Sequence, residues 1–208
     1  GTEAGTSLVK DINPGNLPSS PANFIEMGGI FYFTATNNTS GNELWRTDGT
    51  EAGTFIVKDI YAGVNSSTPQ NLVAINGTLY FTAVTSANGR ELWKSDGTEA
   101  GTILVKDIRT GTSSSTPSVF TQAGSLFYFT ADDGTTGREL WVSDGTAAGT
   151  VLVKDIITGA PSSNPDYLTA VGSTLFFNVD DGINGFELWK SDGTAAGTVL
   201  VKDINPGS

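Results

Sequence analysis

The sequence predicts an all-β fold, a β-propeller of four four-stranded antiparallel blades with one surplus outer strand. Three observations predict it. The text Glu91–Ile108 (ELWKSDGTEAGTILVKDI) returns with small changes at Glu43–Ile60, Glu139–Ile156 and Glu187–Ile204, each 48 residues from the last, and self-similarity at such a period marks a repeat architecture. The composition, with 26 Gly, 8 Pro and no long run of helix formers, favours strands and turns. Each period also holds four short apolar runs joined by turn signals. Propeller blades are four-stranded meanders of about 40–50 residues, whereas β-solenoid coils are shorter.

One period, taken in order, justifies each element. Thr54–Ile60 (TFIVKDI) is rich in β-branched residues and gives way to a Gly/Ser/Thr/Pro connection, Ala62–Pro69. Asn71–Ile75 (NLVAI) has the length of a buried strand and is followed by Asn76-Gly77, a strong two-residue hairpin signal. Thr78–Ala83 is the third strand, Ser86–Gly89 a turn, and Glu91–Lys94 begins the fourth. Ser95–Thr102 (SDGTEAGT) then turns the chain into the next VKDI strand. NLVAI and its equivalents are innermost in the blade, and VKDI is outermost. The whole chain reads as one repeat domain, with repeats 1–48, 49–96, 97–144 and 145–192 and a partial fifth, 193–208.

Aligned periods show which positions do the same work. Phe33, Phe81, Phe129 and Phe177 coincide, as do Leu44, Leu92, Leu140 and Leu188, and Trp45, Trp93, Trp141 and Trp189. One four-stranded sheet cannot cover both faces of such apolar rows, so the blades must pack on one another, which is how repeat folds acquire a core. The tryptophans are therefore expected in the core; exposed, they would be sugar-stacking platforms.

Composition excludes much chemistry. With no Cys and no His, disulfides, thiolate nucleophiles, His-based triads and His-ligated zinc are impossible. The net charge of −11 opposes nucleic-acid binding, and no apolar run is long enough to span a bilayer, so no membrane insertion is expected. The acidity is spread over the repeats, as a solubilising surface would be. The chain starts inside a repeat without Met or signal peptide, which reads as a processed product or a slice of a longer array.

The motif E-L-W-x-x-D-G-T-x-x-G-T stands intact at Glu43–Thr54, Glu91–Thr102, Glu139–Thr150 and Glu187–Thr198. On these residues the chain resembles the ELWxxDGT repeat family, β-propeller-like repeats of bacterial proteins, and the resemblance covers essentially its whole length. It implies an extracellular or cell-surface setting and no defined activity. The turn is also faintly similar to the Asp-box of sialidase-like propellers, itself a structural turn, but with different spacing.

Asp48, Asp96, Asp144 and Asp192 are expected to be turn staples accepting from backbone amides two or three residues on, with Gly97 and Gly101 taking positive φ. A hairpin centred between Thr98 and Glu99 would set Glu91 against Lys106 as an exposed pair across the outer strands, and likewise Glu43/Lys58, Glu139/Lys154 and Glu187/Lys202. A catalytic reading of these carboxylates fails because one active site does not need them in every blade. No enzyme is expected, although carboxylate-only hydrolysis stays open.

The repeats differ in their loops. Asp132-Asp133-Gly134 and Asp180-Asp181-Gly182 make Asp132, Asp133, Asp180 and Asp181 candidate Ca²⁺ ligands, without a full EF-hand spacing. The connections Asn13–Ser20, Tyr61–Thr68, Arg109–Thr116 and Ile157–Asn164 would gather on one rim, where glycans or proteins could bind.

Five VKDI segments serve four blades. Leu8, Val9, Lys10, Asp11 and Ile12 repeat as Leu200, Val201, Lys202, Asp203 and Ile204. An unpaired outer strand is a template for pairing, so one terminal strand is expected to close the last blade and the other to be available for exchange. Exchange would give dimers, a larger ring of two chains or a filament. The expected function is thus a non-catalytic structural or adhesive module that self-associates through its terminal strands; the alternative is a lectin-like module binding glycan or calcium with its rim loops.

Overall fold

The computed structural model describes residues 1–204 and 206; of the last repeat fragment, residues 205, 207 and 208 lie outside the described residues. Among the described residues a short 3-10 turn, Glu3–Gly5, precedes sixteen strands. They form four antiparallel sheets, each in simple sequence order. The first holds β1 (Ala22–Met27), β2 (Ile30–Asn37), β3 (Gly41–Thr47) and β4 (Phe55–Lys58), and the second β5 (Gln70–Ile75), β6 (Thr78–Ala83), β7 (Glu91–Ser95) and β8 (Ile103–Lys106). The third holds β9 (Ser118–Ala123), β10 (Leu126–Asp132), β11 (Arg138–Ser143) and β12 (Val151–Lys154), and the fourth β13 (Asp166–Val171), β14 (Thr174–Asp180), β15 (Phe186–Ser191) and β16 (Val199–Lys202). Each is a four-stranded meander, the form of a propeller blade. The chain divides into two compact units, one of residues Gly1–Ser86 and Lys94–Ile103, the other of Ala87–Trp93 and Leu104–Ser208.

The period-2 pattern sends alternate side chains to opposite faces, and both faces are covered. In β10, Phe127, Tyr128, Phe129, Thr130 and Ala131 are all buried in succession. One apolar cluster of the second unit joins Leu140, Val142 and Val153 of the third sheet to Leu175, Phe177, Val179 and Trp189 of the fourth. The four tryptophans are buried, which makes them core residues and removes the sugar platform.

Inner strands carry a feature that the apolar pattern does not announce. Asn23, Asn71, Val119 and Tyr167 share one column, and all have φ between 53° and 57°. There the pairing with the next strand slips, as between Ala22↔Thr34 and Ile25↔Tyr32. Asn tolerates this left-handed conformation; a β-branched residue does not. We therefore expect Val119→Asn to stabilise the fold by about 1 kcal/mol, a rise in Tm of about 2–4 °C by calorimetry; an unchanged or lower Tm would show that the column is not strained.

Asn76 and Gly77 both have positive φ, at 50° and 74°, as a type I′ hairpin requires.

Candidate functional site

The repeated carboxylates lie inside the blades. Glu43, Glu91, Glu139 and Glu187 are buried. Glu43 Oε1 accepts the Ser67 amide at 2.8 Å, and its Oε2 accepts the Ile60 amide at 3.1 Å and the Ser67 hydroxyl. Glu91 does the same with Ser115 and Ile108, both amides at 2.9 Å. Glu139 takes the amides of Ser163 and Ile156 at 2.9 and 3.3 Å and the Ser163 hydroxyl, and Glu187 Oε2 takes the Ile204 amide at 3.1 Å. Each carboxylate thus ties the end of its own outer strand, and in the first three blades also the connection that leads onward. Burial outweighs these hydrogen bonds, raising Glu43 and Glu91 above the usual value of 4.5 and Glu139 to about 7.

This corrects the expected exposed Glu/Lys pairs. Lys58 stands opposite Leu44, with an irregularity between Leu44 and Trp45, and Lys154 and Lys202 stand opposite Leu140 and Leu188 in the same way. A one-residue slip sends a side chain to the other face, so the glutamate turns inward and the lysine goes elsewhere. Lys58 Nζ donates to the carbonyls of Thr102 at 2.8 Å and Glu99 at 3.4 Å, in the following hairpin. Lys106 reaches Thr150 at 2.7 Å and Lys154 reaches Thr198 at 2.9 Å. Lysine therefore joins blade to blade.

In the hairpins Asp48, Asp96, Asp144 and Asp192 each accept, on Oδ1, the amide and hydroxyl of the Thr two residues on, at 2.7–2.9 Å. The Thr hydroxyl bond is the largest cause that holds Asp48, Asp96 and Asp192 below 3.8. Gly97 has φ 88°, but Gly101 does not have the expected positive φ. Its requirement is space, since a Cβ there would stand 2.0 Å from the Asp96 carboxylate.

The loop aspartates serve their own loops. Asp132 accepts the Gly134 amide on Oδ1 and pairs through Oδ2 with Arg109 at 3.1 Å. Asp133 accepts the amides and hydroxyls of Thr135 and Thr136, Asp180 the Gly182 amide, and Asp181 the amides of Ile183 and Asn184. These are Asx turns. Among the described residues no three acidic side chains gather as a metal site.

The two VKDI copies near the termini differ. Val199–Lys202 is β16, paired to β15, with Asp203 and Ile204 just beyond it, whereas Leu8, Val9, Lys10, Asp11 and Ile12 belong to no sheet. Yet Lys10 Nζ donates to Thr54 O at 2.7 Å and Glu51 O at 3.3 Å, the contact that Lys58 makes one repeat later. Residues 7–12 thus lie against the first blade as an outer strand would, without a blade of their own. Leu8 is 80% exposed, and with Ile12, Pro21, Phe24 and Phe33 it lines an apolar groove of ≈ 310 Å³.

Two faces that are buried elsewhere are open. In the first blade Phe24 and Phe31 are 63% and 51% exposed, although the equivalents of Phe31, at Leu79, Phe127 and Leu175, are buried. In the last blade Leu188 is 40% and Ile204 68% exposed, although Leu44, Leu92, Leu140, Ile60 and Ile108 are buried.

No protein family and no curated protein matches this chain in sequence. Solved structures do match. A puromycin hydrolase S511A mutant complexed with PGG is 15% identical with a TM-score of 0.56, over 91% of this chain and 29% of that one. The computationally designed Ika8 protein is 16% identical with a TM-score of 0.45, over 84% of this chain and 46% of its own. An endo-arabinase from Bacteroides thetaiotaomicron is 12% identical with a TM-score of 0.37, over 95% and 86%. The chain therefore spans less than half of Ika8 and of the puromycin hydrolase. The likeness shows a propeller-type fold, and it corrects the expectation that no enzyme would be found here, because the hydrolase shares that fold. Among the described residues no helix is long and apolar enough to cross a membrane.

Proposed function

We propose that this chain is a self-assembling β-propeller module, extracellular in setting, whose N-terminal segment supplies an outer strand to a blade of a second copy. The observation that carries this reading is the docking of Lys10 on Thr54 and Glu51. The segment holds the place of an outer strand while, among the described residues, its backbone edge pairs with no strand, and such an edge is a template for β-augmentation. Contact between unlike surfaces repeats from copy to copy, giving a closed ring or a filament. The turn aspartates act in this reading as staples that keep each hairpin in shape for the lysine of its neighbour.

Light scattering over a concentration series tests it. The whole chain gains mass with concentration, and removal of residues 1–12 abolishes the gain. Equal monomer mass with and without the segment overturns the proposal.

A further inference from the structure

Aspartate precedes glycine six times in this chain, at Asp48, Asp96, Asp133, Asp144, Asp181 and Asp192. Such a bond is chemically labile, because glycine puts no side chain in the way of its own nitrogen. The Gly nitrogen attacks the Asp Cγ, the amide proton and a carboxyl oxygen leave as water, and a succinimide forms. Water then opens the ring at the Cα carbonyl and gives isoaspartate, with no net change in mass. The four hairpin aspartates are exposed, so solvent is at hand for every step. Yet in all six places the attacking nitrogen is already engaged, by the side chain that precedes the aspartate. Gly49 N donates to Thr47 Oγ1 at 3.0 Å, Gly97 N to Ser95 Oγ at 2.9 Å, Gly145 N to Ser143 Oγ at 2.9 Å and Gly193 N to Ser191 Oγ at 3.0 Å. In the two loops Gly134 N donates to Asp132 Oδ1 at 2.6 Å and Gly182 N to Asp180 Oδ1 at 2.7 Å. Thr, Ser and Asp, in hairpins and in loops, have only a side-chain oxygen at that place in common.

We infer that the residue before each Asp-Gly pair guards that bond against isoaspartate formation, so that the exposed hairpins of the repeat keep their backbone intact over time. Attack needs the nitrogen without its proton, and an amide that donates a hydrogen bond gives up its proton less readily, as the slow exchange of bonded amides shows. The carbon under attack is held as well. Oδ1 of each hairpin aspartate is tied to the amide and hydroxyl of the Thr two residues on, and the Thr hydroxyl keeps Asp48, Asp96 and Asp192 ionised to lower pH. A carboxylate is a poorer electrophile than the neutral acid. The guard matters to the fold because isoaspartate routes the main chain through the side chain and lengthens it by one carbon. At Asp96 that would displace the hairpin whose Glu99 and Thr102 carbonyls take Lys58, and with it a joint between blades.

The test is peptide mapping of the whole chain by mass spectrometry, with fragmentation that separates isoaspartate from aspartate, after storage at neutral pH well below the Tm. Ser95→Ala accumulates isoaspartate at residue 96 about fivefold faster than the parent, the rate equivalent of one hydrogen bond, while residues 144 and 192 of the same molecule keep the parental rate. Ser95→Thr stays at the parental rate, since a Thr hydroxyl already holds this amide at Gly49. Thr102→Val loosens the same hairpin by taking its hydroxyl away from Ser95, yet it leaves the guard in place and the rate near that of the parent. Asp180→Ala raises isoaspartate at residue 181 by a similar factor, and this loop variant decides the question if Ser95→Ala does not fold. Equal acceleration in Ser95→Ala and Thr102→Val makes the serine a structural residue only and overturns the inference. So does a folded Ser95→Ala or Asp180→Ala chain that isomerises no faster than the parent.

Discussion

Glu91→Ala lowers the Tm by about 6–12 °C, the equivalent of about 3 kcal/mol in a domain of this size. The carboxylate is fully buried and holds the amides of Ile108 and Ser115 and the Ser115 hydroxyl. Alanine leaves those three groups buried without an acceptor, and each unsatisfied donor costs about 1–3 kcal/mol. Glu91→Gln recovers part of the loss. It restores the shape, but the side-chain amide turns one oxygen into an N–H group that can no longer accept. Calorimetry of the two variants checks this order; an alanine variant as stable as the parent would show that the glutamate does not tie blade to connection.

Raising the pH from about 4.5 to about 7 lowers the stability of this protein. The folded chain holds the Glu139 proton up to about 7, whereas an unfolded glutamate releases it near 4.5. Between those values unfolding releases a proton, so the stabilisation is complete below 4.5 and gone above 7. A group displaced that far contributes roughly 3 kcal/mol. Glu43 and Glu91 are raised by the same burial and add to the slope. The turn aspartates act in the opposite sense. Asp48, Asp96 and Asp192 lie below 3.8, so what they contribute is present above that value and lost as the pH falls through their folded values. Stability should therefore peak in the mildly acidic range, near the sequence pI of 4.2 where charge repulsion is also least. Melting curves at pH 4.5, 5.5 and 7 decide it, since a flat or rising Tm contradicts the sign. Glu139→Gln should flatten the neutral limb.

Much of the fold was legible because the repeat states each structural choice four times. Asn76-Gly77 marked its own hairpin, and Phe129 and Trp141 marked the core through period-2 alternation. The glutamate was misread for a physical reason. Sequence spacing alone placed Glu91 against Lys106, on the assumption of an unbroken ladder. The irregularity after Leu44, repeated after Leu140 and Leu188, moves the lysine one place and turns the glutamate inward. One signal could have revealed it. Ser67, Ser115 and Ser163 stand at a constant 24 residues from their glutamates, in a connection of which only a glycine and the preceding serine also recur in all three.

By itself the sequence determined four four-stranded repeats and the strand order within them, because these follow from local pattern and from counting. Which terminal segment pairs was decided only by the tertiary structure. Ser7–Ile12 and Val199–Ile204 are nearly identical in sequence, so no local preference separates them. Val199–Lys202 has β15 beside it and becomes a strand, whereas Ser7–Ile12 has no strand beside it among the described residues and meets the hairpin that takes Lys10 and, through Ile12, the cluster of Phe33, Ala35 and Trp45. Long-range partners, not propensity, make one copy part of a blade and leave the other outside every sheet.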